Sequence, residues 1–132
     1  MNGDQWKSIE NFRPCLEQWG DPYAMDLGFV TLLDRMCTKV GLAFSIVKGY
    51  SVSADHHADC YHRLGQACDF YIPHSGGMRP AFNELKRLWW FGGIGAYPYQ
   101  NPQRFHVDMG PPRQWVRDKH GDDVPIGGGS IW

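Results

Sequence analysis

The side chains best suited to chemistry crowd into the middle of this chain. Five of its six histidines lie between positions 56 and 106, and the run Asp55-His56-His57-Ala58-Asp59-Cys60-Tyr61-His62 is the densest group of potential metal ligands. Imidazole and carboxylate both bind zinc, and a catalytic zinc site uses three such ligands plus a water. His62 is followed by a turn containing Gly65 and then by Asp69 at the start of a strand-like segment, so a loop imidazole and a strand carboxylate could approach one ion. His106 lies in another strand-like segment, with Asp108 two residues on and therefore on the same face. Spacing alone does not select the ligand set. With six histidines and eleven aspartates, a His followed seven residues later by Asp is expected about half a time by chance. His56 and His57 read as solvated loop residues, and His74 and His120 sit in polar, turn-like contexts.

Several elements must position these groups. Over residues 22–40, Met25, Phe29, Leu32, Leu33, Met36 and Val40 recur at three- and four-residue intervals, with Asp21 placed to cap and Gly41 to stop a helix. Residues 42–50, with Phe44, Ile46 and Val47, read as a strand ending in a turn at Gly49; a second strand covers 66–72 and is closed by Pro73. Phe82, Leu85, Leu88 and Trp89 mark a second helix over 80–90, with Pro80 in its first turn and Gly92-Gly93 at its end. Short strands follow at 94–97 and 104–109, where Phe105 and Val107 alternate with His106 and Asp108. Residues 1–21 show no sustained period and read as an irregular lead-in packing Trp6, Phe12 and Trp19 on the body, and 116–132 read as a flexible, Gly-rich tail. The order of elements lacks a regular βα alternation, so the predicted fold is α+β, a small, largely antiparallel sheet flanked by helices, in one domain over 1–132.

Composition narrows the chemistry further. A chain of 132 residues buries about two thirds of its unfolded surface and folds without staples, so a metal would be functional rather than structural. Thirteen basic and fourteen acidic residues, with no basic cluster longer than Lys86-Arg87, exclude a phosphate backbone as partner. No apolar run approaches the roughly 18 residues of a membrane span. The polar stretch 1–7 lacks the layout of a signal peptide, so synthesis in the cytoplasm is expected. Cys15, Cys37, Cys60 and Cys68 form no CxxC pair; buried free thiols are expected, with a disulfide through Cys15 or Cys60 as the alternative.

The letters around the histidines are more specific than their spacing. The stretch His62-Arg63-Leu64-Gly65-Gln66-Ala67-Cys68-Asp69, followed by Gly93-Ile94-Gly95-Ala96-Tyr97-Pro98, by Phe105-His106-Val107-Asp108 and by Arg113-Gln114-Trp115, resembles the zinc D-alanyl-D-alanine carboxypeptidase and endopeptidase family. The resemblance runs over roughly residues 11–115 and implies a hedgehog-like peptidase fold and cleavage of peptidoglycan peptides. The chain departs from the family pattern at Cys60, where Ser is usual, and at Gln66, where Arg is frequent. The family's Ser-Gly-Tyr-Arg turn is here Lys48-Gly49-Tyr50-Ser51, and Gln103 replaces an acidic base.

What the resemblance implies is a single Zn²⁺ held by His62, Asp69 and His106, and metal-assisted hydrolysis of a peptidoglycan peptide by a monomeric enzyme acting on the cell wall after phage-type release or other export. Asp108 is the first candidate for the base, with support of His106 as its alternative role, and His57 is the second candidate. Arg63, Gln66, Tyr97, Arg113 and Trp115 are the expected substrate contacts, and either Lys48, Arg63 or another cation replaces the missing arginine or the substrate is handled differently. The competing functions are a zinc-binding wall-recognition module without catalysis and a zinc hydrolase for another amide.

Overall fold

Strict alternation in the central strands gives one sheet two unlike faces, one greasy and one polar. A computed structural model of the chain describes residues 1–52 and 59–126. Six strands, β1 (Ser45–Lys48), β2 (Ala67–Tyr71), β3 (Gly93–Tyr97), β4 (Arg104–Asp108), β5 (Arg113–Arg117) and β6 (Asp123–Pro125), form a sheet of order β1-β2-β4-β3-β5-β6. Every neighbouring pair is antiparallel except β3 with β5. Four helices, α1 (Gly3–Lys7), α2 (Leu27–Val40), α3 (Asp59–Arg63) and α4 (Met78–Leu88), complete an α+β fold of the predicted class. None is long and apolar enough to cross a membrane.

On one face, Cys68 and Phe70 of β2, Ile94 and Ala96 of β3, Phe105 and Val107 of β4, and Val116 of β5 are buried in a single core with Phe29, Leu33 and Met36 of α2 and Phe82 and Leu85 of α4. Phe70 links this layer, stacking on Phe44 at 4.5 Å and meeting Phe105 at 5.8 Å between ring centres. The opposite face carries the chemistry. Cross-strand pairing sets Asp69, His106, Gly95 and Trp115 side by side in one row, with Ala67, Asp108, Gly93 and Arg113 in the next.

Several boundaries differ from the sequence reading. Residues 22–24 form a separate 3-10 turn capped by Asp21, and α2 starts only at Leu27, where the Asp26 carboxylate accepts from Phe29 N at 2.9 Å. The break arises because Asp26 N donates to the Gly65 carbonyl at 3.0 Å, holding the chain extended at Met25. In the lead-in, α1 forms through a reciprocal Asn2–Gln5 cap, with Trp6, Phe12 and Trp19 buried beyond it. The segment before His62, read as a loop, ends in the short helix α3.

Part of the expected tail is sheet. Val116 enters the core, Arg117 bonds Asp123 at 2.8 Å across β5 and β6, and Ile126 N donates to Gln114 O at 3.2 Å. The polar composition hid this pair because, as a sheet edge, it needs few buried residues. Cys37 and Cys68 are buried free thiols, and Cys15 is free and exposed.

Gly65 connects α3 to β2 with φ at +68°, and a Cβ there would lie 2.8 Å from Met25 Cα and closer still to the Ala24 carbonyl. Gly65→Ala therefore adds backbone strain and a backbone clash. It should cost at least about 2 kcal/mol of unfolding free energy in a denaturant titration.

Candidate metal centre

Three buried side chains from three elements converge on the polar face: His62 from the last turn of α3, Asp69 from the middle of β2 and His106 from the middle of β4. One ligand atom from each lies within 4.8 Å of the others. His106 Nδ1 is 2.8 Å from Asp69 Oδ1, and His62 Nε2 is 3.6 Å from the same oxygen. His62 Nδ1 lies 2.7 Å from the Gly49 carbonyl, which can only accept, so Nδ1 carries a proton and Nε2 is the ring nitrogen turned toward Asp69.

His106 is gripped from both edges. Its Nε2 is 2.7 Å from Asp108 Oδ2, so Asp108 stands across the imidazole from Asp69. Asp108 is fully buried and saturated: Arg113 donates to Oδ2 at 3.0 Å and to Oδ1 at 3.3 Å, and the Gly110 and Gly93 amides donate to Oδ1 at 2.8 and 3.2 Å. Its own carbonyl accepts from Trp89 Nε1 at 3.0 Å, which ties the end of β4 to the end of α4.

The charges respond to this packing. Burial opposes ionisation of both carboxylates, but hydrogen bonds outweigh it. His106 and His62 hold Asp69 well below the ordinary carboxylate range, and His106, Gly110 and Arg113 hold Asp108 at about 2. Burial likewise disfavours a charged His106, yet its bonds to Asp108 and Asp69 lift it to about 9. Two carboxylates against one guanidinium leave a surplus negative charge, balanced by a proton on His106. Two imidazoles and a carboxylate, buried and within 4.8 Å of one another, are a donor set that fits a divalent cation of zinc's type.

Aromatic side chains wall the centre. The His106 ring centre lies 5.3 Å from that of His62, 5.5 Å from Trp115 and 6.3 Å from Tyr97. Burial first, and the Asp69 charge next, push the Tyr97 phenol far up, so it remains a protonated donor.

The other residues singled out in the sequence are more scattered. His57 lies outside the described residues. Arg63 is exposed and donates to the Val52 carbonyl at 3.1 Å, and Gln66 is tied through its backbone to Tyr61 and Met109. Arg113, expected at the substrate, grips Asp108 and covers the Trp115 ring at 4.8 Å. Gln103 is exposed, its amide donating to the Pro98 carbonyl at 2.9 Å. Reading side chains alone missed the Gly49 carbonyl and the Gly93 and Gly110 amides, because backbone groups leave no letter of their own. It also missed Arg117, which lies over the Tyr97 ring at 4.2 Å.

Residues 22–115 match the model of the family Peptidase_M15_2, described as peptidoglycan L,D-endopeptidase MepK. No curated protein and no solved structure matches the chain.

A pH dependence follows from His106. Its folded-state pKa, near 9, stands above the ordinary value of 6.5, so its contribution in metal-free protein is complete below about pH 6.5 and is lost as pH rises through 9. Chelated protein should therefore lose on the order of a few kcal/mol of stability over that window. Thermal melts of wild type and His106→Gln at pH 6 and pH 9 test this, and the variant's melting point should be nearly flat over the interval.

Proposed function

The chain belongs to the M15-type metallopeptidase family described as peptidoglycan L,D-endopeptidase, and from that premise we propose that it is a zinc-dependent endopeptidase cutting the peptide cross-links of peptidoglycan. The observation that carries this reading is the convergence of His62, Asp69 and His106, buried and within 4.8 Å of one another, inside the matched region. Endopeptidase rather than carboxypeptidase action is supported by the family's description and by Ser51 standing where the family pattern has arginine.

In this reading His62, Asp69 and His106 hold the zinc, which would supply a water of near-neutral pKa and a Lewis acid for the scissile carbonyl. His62 binds through Nε2, since the Gly49 carbonyl fixes the proton on Nδ1. His106 binds through Nδ1, and Asp108 accepts the proton on Nε2, which fixes the ring and raises its basicity. Asp108 is thus a positioning residue rather than the base, because its oxygens are saturated on the far side of His106. Gln103 cannot accept a proton. The proton-accepting role passes to His57, the remaining candidate. A second reading, wall recognition without catalysis, draws its support from Gln103 standing where the family pattern has an acid.

Zinc-loaded protein should release defined fragments from peptidoglycan or from cross-linked stem peptides, as read by mass spectrometry. Chelation should stop the release and added zinc restore it. Zinc-loaded protein that cuts no member of a panel of L,D and D,D bonds would favour the recognition reading. His62→Ala, Asp69→Ala and His106→Ala should each abolish stoichiometric zinc and cleavage. Asp108→Asn should weaken zinc affinity or turnover by about 10- to 100-fold. His57→Gln should lower kcat with zinc content unchanged, as measured by metal analysis beside steady-state assays.

A further inference from the structure

One buried polar atom beside the centre has no employment in the scheme above. Trp115 is 6% exposed, and among the described residues its indole Nε1 is the one buried side-chain nitrogen or oxygen without a hydrogen-bond partner. Folded chains satisfy nearly all such groups, and an unpaired one calls for an explanation. The Tyr97 phenol is close enough to the indole N–H for a weak hydrogen-bonding influence, the least of those acting on its pKa, but the contact lacks hydrogen-bond geometry.

The strand register decides where that N–H points. Trp115 of β5 is paired with Gly95 of β3, and Gly95 is paired with His106 of β4. A Cβ on Gly95 would lie 2.6 Å from Trp115 Nε1 and 2.7 Å from Cζ2, so the nitrogen-bearing edge of the indole occupies the space that the missing side chain leaves. That edge therefore rests in the row of the metal centre, 5.5 Å from His106 between ring centres, while the Arg113 guanidinium holds the indole 4.8 Å above its ring. A donor placed in advance, buried and unpaired, is what stabilisation of a developing negative charge requires, because it needs no reorganisation when the charge appears.

We propose that Trp115 is an oxyanion donor whose Nε1–H bonds the oxygen of the scissile carbonyl and tightens on it as that oxygen gains charge. The assignment rests on the peptidase reading. When the oxygen of water bonds to the carbonyl carbon, the C=O π pair moves onto the carbonyl oxygen, and the indole N–H holds the resulting oxyanion while the base takes the proton from water. The pair then returns to re-form C=O, the C–N bond breaks with its electrons on nitrogen, and the departing amine receives the proton. Trp115 neither gains nor loses a proton, so its effect is independent of pH in the working range.

Trp115→Phe keeps an aromatic ring over Gly95 and removes the N–H. In zinc-loaded protein it should leave zinc content and melting temperature unchanged and KM within about twofold, with kcat lowered on the order of 10²-fold. Affinity for a phosphinic pseudopeptide, whose anionic oxygens imitate the tetrahedral adduct, should fall by a similar factor. In the wild type, the Trp115 indole ¹H–¹⁵N resonance, assigned by its disappearance in the variant, should move downfield when the pseudopeptide is added. Unchanged kcat and pseudopeptide affinity in the variant, loss of zinc from it, or an indole resonance that stays in place would each overturn the assignment. A wild-type protein that cleaves nothing but still shifts the resonance would retire the peptidase reading and keep the donor.

Discussion

Everything on the polar face depends on how the buried charge around His106 is neutralised. Asp69 and Asp108 face its two ring nitrogens, and Arg113 closes the series on the far side of Asp108. Carboxylates survive burial only when hydrogen bonds replace their water, and here ring nitrogens, backbone amides and one guanidinium do so. The arrangement is self-consistent with a positive charge at the Asp69 edge of the ring, whether that charge is a proton or a metal ion. A divalent cation and the His106 proton would therefore compete for one place, so that loading the site at neutral pH would release a proton.

The sheet makes this economy possible. Because β2, β3, β4 and β5 alternate without interruption, each strand contributes to the core and to the centre at once. Phe105 and Val107 anchor the same strand that presents His106 and Asp108, and Cys68 and Phe70 flank Asp69. Ligand positions are thus set by core packing, with no separate scaffold required. The aromatic surplus has its place here too. Trp89 fastens the Asp108 carbonyl to the helical layer, and Trp115 and Tyr97 cover the centre from the sheet's other end.

Much of this is legible in the amino-acid sequence. Periodicity located the main helices and four strands because their apolar residues are many and regular, and the motif letters picked out His62, Asp69 and His106 from a surplus of histidines and aspartates. What escaped was structure maintained by long-range or backbone contacts. The late start of α2 depends on a bond from Asp26 to Gly65, thirty-nine residues away. Beyond its backbone ladder the β5–β6 pair draws on Val116 and a two-bond Arg117–Asp123 contact, too little apolar content to register as a pattern. The opposite placement of Asp69 and Asp108 about one imidazole depends on a ring orientation that sequence does not encode locally. "Same face as His106" was correct for Asp108 but did not say which edge of the ring it would meet.

The two-faced strands also constrain how this chain can vary in length. Inserting or deleting one residue within β4 would exchange its faces, sending His106 and Asp108 into the helical layer and Phe105 and Val107 toward the centre. Core and centre would fail together, with no intermediate in which one survives. Insertions compatible with this fold are therefore confined to connections outside the strands that hold no part of the centre, which excludes 109–112, with its Gly110 amide on Asp108, and leaves segments such as residues 98–103. Length changes there can reshape the surroundings of the centre while leaving its ligand geometry untouched.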